Sequence, residues 1–347
     1  MRAWLIYALG GGWGHLMRTL ALGRIAALTR PVSILCNSPY ATNLLRYVAA
    51  DQSLPVVAGC YIHAIPSNAS FAKTCEHVRY VVTSEEYECL VVDTFPRGLG
   101  GELADILPQI KAPRILVHRD INPDYVCAKD LQRFVKDNFD LVLVPGETGE
   151  LPLAQLPQVE HTAPWLIENV SELPNRAGSR ALLRLNPSSV DQVVLVCAAG
   201  RAEELSFYGQ LTGKLANSLT GITVRCLSAE CPEHCPPELW VFHWPGIECL
   251  PATNVVVGGA GYNTFSECVA VGVPLVAFAF PRRYDRQRMR VRRWYDRQQW
   301  PPVRLVESVE EALLAVSDCL QLLPCDQPNF INGTIASVHS IEKVIRA

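Results

Sequence analysis

The sequence lacks a strong excess of charge, a long apolar run and any low-complexity tract, and each absence removes a class of function. Thirty-one Lys and Arg stand against 34 Asp and Glu, for a net charge of -3. No global positive field of the kind that non-specific nucleic-acid binding requires is present. The longest apolar runs, such as Pro274 to Phe280, fall far short of the ~20 residues needed to cross a bilayer. Paired C-x-x-C spacings are missing too, although the chain has 13 cysteines. Many sit inside apolar segments (Cys36, Cys89, Cys197), where a thiol behaves as a small hydrophobe, and this usage fits a reducing cytosol. The densest group, Cys226, Cys231, His234 and Cys235 with His243 and Cys249 beyond, matches no zinc spacing, so no metal is expected there. The opening Met1-Arg2 and apolar Ala3 to Leu9 have the outline of a secretion signal. They run into Gly10-Gly11-Gly12-Trp13-Gly14-His15 without a cleavage site and read as a first buried strand.

What is present is α/β patterning on the scale of two domains, since 347 residues suit roughly 100–200 each. Short apolar runs at Trp4-Leu9, Val32-Cys36, Cys89-Val92, Arg114-Val117 and Leu141-Val144 read as parallel strands buried on both faces. Helical spacing over His15 to Leu28 and Gly100 to Ile110 lies between them. The Pro-rich stretch from Glu150 to Arg180 is the expected linker. Alternation restarts at Gln192-Cys197, Ile222-Cys226, Asn254-Val257 and Pro274-Phe280, with a helix over Ser308 to Leu322. The expected division is 1–164, 165–330 and a helical tail at 331–347, which packs back on the first domain or caps the second.

Ligands in open parallel sheets sit beyond the carboxyl ends of strands. The sharpest loop of that sort is Val255-Val256-Val257-Gly258-Gly259-Ala260-Gly261-Tyr262-Asn263-Thr264-Phe265-Ser266-Glu267. A strand empties into small residues and a helix begins near Tyr262 or Asn263, so exposed N–H groups and the helix dipole suit a diphosphate. Glu267 lies in the first turns of that helix, where it reaches sugar hydroxyls or simply complements the dipole. Gly272-Val273-Pro274 stops the helix. A further strand then leads to Pro281-Arg282-Arg283-Tyr284-Asp285-Arg286-Gln287-Arg288, which places Asp285 and Gln287 on the same rim.

Gly261 to Glu267, Gly272-Val273-Pro274 and Asp285-Arg286-Gln287 together resemble the nucleotide-sugar signature of GT-B glycosyltransferases. The likeness is to the peptidoglycan GlcNAc transferase family (family 28) and the UDP-glycosyltransferases (family 1). It implies two Rossmann-like domains facing across a cleft, the first binding acceptor and the second the donor, probed by no fixed cofactor besides the nucleoside diphosphate sugar itself. By the same resemblance, Glu267 binds ribose hydroxyls while Asp285 and Gln287 contact the donor sugar. Relatives carry a His or Arg on the diphosphate where this chain has Gly259. Backbone N–H groups, or Arg201 in the turn Ala198-Ala199-Gly200-Arg201, would supply the missing positive potential. An aromatic under the base is another implied feature, with Phe242 and Trp244 as candidates. Core packing is the alternative for both.

The amino-terminal loop Gly10-Gly11-Gly12-Trp13-Gly14-His15 lacks the third glycine and the acidic strand end of a dinucleotide fingerprint, since Asn37 ends the second strand. NAD is therefore not expected. In the resembling families such a turn ends in a histidine base at the position of His15, which histidine's ordinary pKa suits. Asp93, ending the strand Leu90-Val91-Val92, would orient it. A turn-capping histidine and a helix-capping aspartate are the alternatives. His118, Arg119 and Asp120 end another strand on that rim, where they shape an acceptor pocket or bond locally.

No Asp-x-Asp motif occurs, so metal-independent transfer is the consistent expectation: an inverting hexosyl or N-acetylhexosaminyl transfer from a UDP-sugar, UDP-GlcNAc-like, to a hydroxyl acceptor. A UDP-sugar 2-epimerase and a non-catalytic nucleotide-sugar sensor on the same fold stay open. The eight arginines between Arg282 and Arg297 read as a solvated face. With Trp294, Tyr295 and Trp300 they would also serve contact with an anionic membrane bearing a lipid-linked acceptor.

Overall fold

The computed structural model describes residues 2–42, 44, 59–297, 299–322 and 330–347. Two compact units account for the chain. One comprises Met1–Ile167 with Arg283–Arg286 and Ile331–Ala347, and the other Glu168–Arg282 with Gln287–Phe330.

The first unit is a seven-stranded sheet in the order β3-β2-β1-β4-β5-β6-β7, parallel throughout. Its strands are β1 (Ala3–Tyr7), β2 (Val32–Cys36), β3 (Cys60–Ala64), β4 (Tyr87–Asp93), β5 (Arg114–Val117), β6 (Leu141–Pro145) and β7 (Val159–Thr162). The central strands are apolar on both faces because helices cover both. Trp4, Leu5, Ile6, Leu90, Val91, Val92, Leu116 and Val142 are all buried. Helices α1 (Trp13–Ala26), α2 (Phe71–Ser84), α3 (Pro123–Ala128) and α4 (Leu131–Asn138) flank them. The Ser70 hydroxyl caps α2 by accepting the Lys73 N–H.

Two sequence expectations change here. Gly100 to Ile110 is not a helix but a series of turns ending in a short 3-10 segment at Leu107–Gln109. The buried Glu102 carboxylate accepts the Gly100 N–H at 2.7 Å and the Tyr7 hydroxyl at 2.6 Å. Gly98 and Gly101 take positive φ, so the chain wraps around that carboxylate rather than coiling. Nor is the Pro-rich stretch a loose linker at its start. It supplies β7 and the buried Trp165, Leu166 and Ile167.

The tail helix, α10 (Thr334–Arg346), belongs to the first unit. Trp165 donates through Nε1 to the Ser337 hydroxyl at 2.8 Å, and Asn332 exchanges hydrogen bonds with the Leu166 backbone. Arg30 pairs with Glu342.

The second unit is a six-stranded parallel sheet in the order β10-β9-β8-β11-β12-β13. Its strands are β8 (Val193–Cys197), β9 (Thr223–Leu227), β10 (Trp240–Val241), β11 (Val255–Gly259), β12 (Leu275–Phe278) and β13 (Val303–Val306). Helices α5 (Arg176–Leu182), α6 (Ala202–Ser218), α7 (Tyr262–Val271), α8 (Gln287–Asp296) and α9 (Val309–Leu320) complete it. Ser308 caps α9, with Glu310 and Glu311 in the first turn. Gly272 ends α7 at φ 78°, the left-handed cap only glycine takes without strain. Each sheet reverses strand order once, at β1/β4 and at β8/β11. Open sheets bind ligands at these two switch points.

Candidate active site

At the first switch point, α1 opens directly from the glycine turn after β1. Gly11, Gly12 and Gly14 have no neighbour within 4 Å of where a side chain would begin, so the loop leaves open space above the strand ends. Trp13 stacks on Tyr40 at 4.6 Å between ring centroids. Gly10 has φ 157°, and a Cβ on it would meet the His15 ring at 2.2 Å. Glycine there is thus required by the close approach of the imidazole. The Gly10 N–H donates to the Asn37 side chain at 2.8 Å, which gives the non-acidic end of β2 a turn-holding task.

His15 is one turn into α1, and its Nδ1 lies 2.5 Å from Asp93 Oδ2. Asp93 is fully buried at the end of β4. An ionised carboxylate only accepts, so Nδ1 carries the proton and donates, and Nε2 of the neutral ring is left with its lone pair. Among the described residues no hydrogen-bond partner takes Nε2.

The sequence reading missed Arg18. It lies on the same face of α1, donating through Nε to Asp93 Oδ1 at 2.8 Å and through Nη2 to Oδ2 at 2.6 Å. Its side chain is 1% exposed. Burial alone would raise the Asp93 pKa, but the Arg18 guanidinium and the His15 hydrogen bond outweigh it and hold the carboxyl well below the usual carboxylate range. The signal was available: an arginine within the apolar run Leu16 to Leu22 of a helix needs a buried partner. Asp93 is a hub for the His15 imidazole and the Arg18 guanidinium rather than a helix cap, and Phe95 stacks over the His15 ring at 5.6 Å.

Farther along the rim, His118 is fully buried at the end of β5, and among the described residues neither of its ring nitrogens has a hydrogen-bond partner. Burial pushes its imidazole down to about 3. Arg119 holds Glu147 at 2.9 Å and reaches Asp285 at 3.6 Å. Asp120 pairs with Arg286, and Asp285 makes an antiparallel bridge to Ile121. The segment Arg283–Arg286 is therefore strapped to the β5 end of the first unit, and Asp285 is an ion-pair partner there.

At the second switch point, β11 runs into Gly259-Ala260-Gly261 and α7 starts at Tyr262 with no side-chain cap. Its N-cap is Gly261, which has no side chain to accept from the first N–H groups. Asn263 and Thr264 are half-buried in its first turn. Gln287 begins α8 and is 8% exposed. Among the described residues its Oε1 has no partner, and its Nε2 lies 3.9 Å from where a Gly261 side chain would begin. Arg290, also buried, donates to the Ala260 carbonyl at 3.0 Å and fixes the loop from below. Glu267 is half-buried on α7, and desolvation pushes its carboxyl up to about 7.

Gly200, at φ 142°, lies against the Glu204 carboxylate. Glu204 is clamped by Arg282 through both carboxylate oxygens. Arg201 is exposed at the start of α6. Trp244 is 3% exposed and belongs to the core, while Phe242 is half-buried. This corrects Trp244 as an equal candidate for a base platform.

The arginine-rich segment is less basic in effect than in sequence. Arg282 and Arg286 are ion-paired, Arg288 pairs with Glu307 at 2.6 Å, and Arg290 is buried. No helix among the described residues is long and apolar enough to cross a membrane.

No protein-family profile matches the chain, and no curated protein matches it. Solved structures do. A glycosyltransferase of kitacinnamycin superposes with a TM-score of 0.59 at 12% identity, covering 99% of this chain and 94% of that one. The enzyme TcCGT1 in complex with UDP gives 0.57 at 12%, over 99% and 94%. The spinosyn rhamnosyltransferase SpnG complexed with thymidine diphosphate gives 0.59 at 14%, over 100% and 96%. The chain has the GT-B fold of these proteins, with two parallel-sheet α/β domains.

Proposed function

We propose that the protein is a metal-independent, inverting glycosyltransferase that moves a sugar from a nucleoside diphosphate to a hydroxyl acceptor. The observation that carries the proposal is the His15–Asp93–Arg18 array at the first switch point, taken with an uncapped, glycine-opened helix at the second. Nε2 of His15 removes the acceptor proton as the acceptor oxygen bonds to the anomeric carbon. The bond from that carbon to the diphosphate oxygen breaks, with inversion. Asp93 stabilises the imidazolium that forms, and Arg18 keeps Asp93 ionised and in place. The departing diphosphate carries the electron pair, and the N–H groups at the start of α7 receive it.

Glu267 and Gln287 are proposed to bind the ribose and the sugar, and Phe242 to lie against the base. UDP and thymidine diphosphate are the donor nucleotides to test, since the structural neighbours were captured with one or the other. An N-acetylhexosamine is the first sugar to try. The experiment is incubation with a panel of UDP- and TDP-sugars, with and without simple hydroxyl acceptors. Release of nucleoside diphosphate supports the reading. An isomerised sugar would assign an epimerase instead, and binding without turnover a sensor.

A further inference from the structure

Tyr208 lies on α6 with its ring packed among Phe207, Phe278 and Phe280. The residue is fully buried and, among the described residues, its hydroxyl has no hydrogen-bond partner. A buried hydroxyl without a partner costs on the order of 1–3 kcal/mol, and phenylalanine would fill the same aromatic cluster without that cost. Burial also pushes the phenol's pKa well up, so it remains a donor at any working pH. The hydroxyl points at Gly259, 3.6 Å from where a side chain on that residue would begin. Gly259 is the last residue of β11, three residues before α7 starts at Tyr262. Near Gly261 of the same loop, the Gln287 Oε1 is likewise buried and, among the described residues, unpaired.

From these positions we infer that Tyr208 is a ligand-binding residue of the donor site. Its hydroxyl donates to an oxygen of the diphosphate that settles over Gly259 at the start of α7. The inference rests on the donor-site reading above and adds a residue to it. Glycine at 259 lets an oxygen come close to the backbone there, and the hydroxyl lies 3.6 Å from where a Gly259 side chain would begin. Negative charge gathers at a helix N-terminus, and a neutral donor placed next to it adds a charge-assisted hydrogen bond without introducing a second cation beside Arg282.

The test compares wild-type protein with Tyr208→Phe and Gly259→Ala, titrating UDP, TDP, inorganic pyrophosphate and uridine by calorimetry and recording the unliganded melting temperature. The expected result for Tyr208→Phe is about tenfold or greater loss of affinity for UDP, TDP and pyrophosphate. Uridine affinity should stay unchanged, and the unliganded melting temperature should be equal or higher. Gly259→Ala, whose methyl would sit in ordinary contact with the hydroxyl, should weaken the diphosphates similarly by coming between. Unchanged diphosphate affinity in Tyr208→Phe overturns the inference, as does an equal loss for uridine or a lowered melting temperature with proportionate loss of every ligand. If wild-type protein binds no diphosphate at all, the donor-site reading itself falls.

Discussion

At the scale of single residues, the proposed acid-base array is more interdependent than a histidine–aspartate pair. Asp93 answers two donors at once, the neutral His15 imidazole and the Arg18 guanidinium buried with it. Asp93→Asn therefore leaves Arg18 without its counter-charge, and the expected cost is roughly 3–5 kcal/mol of stability, read by urea unfolding. His15→Gln should be different in kind. It should remove about 10²–10⁴-fold of transfer rate while leaving nucleotide affinity within twofold of wild type. A His15 variant with full turnover would end its assignment as the base.

Glu267 gives a pH prediction. Its carboxyl is raised from 4.5 to about 7 in the fold, so the native state holds the proton more tightly than the unfolded chain between those values. Stability contributed at acid pH is thus lost as pH rises from about 4.5 to 7. Glu267→Gln in the unliganded protein should raise the melting temperature at pH 8 and leave it nearly unchanged at pH 4.5. Equal effects at both pH values would show that the carboxyl is not desolvated as described.

Much of this scale was legible in the sequence. His15, Asp93 and the Gly258 to Gly261 loop stand out because glycine turns at strand ends have few other uses. Arg18 and Tyr208 did not, because each lies inside a regular helix where only the three-dimensional neighbour reveals the purpose of the polar group. The eight arginines read as one patch, although ion pairs to Glu204, Asp120 and Glu307 come from distant parts of the chain.

At the scale of elements, the apolar runs located the central strands well, since strands buried on both faces need no alternation to be seen. Edge and short strands were harder. Strand β3 alternates partly exposed residues, and β7 carries Val159-Glu160-His161-Thr162, whose polar side chains mask it. The turns around Glu102 mimicked helical spacing because a buried carboxylate, invisible to periodicity, organises them. Helix α10 offers a test of packing. Ile341 is fully buried, and Ile341→Ala should cost about 2–5 kcal/mol. Unfolding measured by circular dichroism should shift accordingly, and a change below about 0.5 kcal/mol would contradict the burial of that face.

At the scale of the whole molecule, both domains use the same device. A doubly wound parallel sheet reverses strand order, and a glycine turn opens a helix beside the reversal. In the first the turn presents an imidazole backed by a carboxylate. In the second it presents backbone N–H groups and an uncapped helix start. In the proposed function, one doubly wound architecture thus supplies a proton acceptor and an anion receptor from differently furnished loops. The fold is plain from these sheets, whereas the chemistry depends on a few side chains at their ends.

The most direct test of the central claim is to follow nucleoside diphosphate release from UDP- and TDP-sugars in the presence of EDTA and a hydroxyl acceptor, for wild-type protein and His15→Gln. The account predicts release that survives chelation, depends on His15 and yields a product of inverted anomeric configuration. Absence of release with every donor, or release unchanged by the His15 substitution, would contradict it.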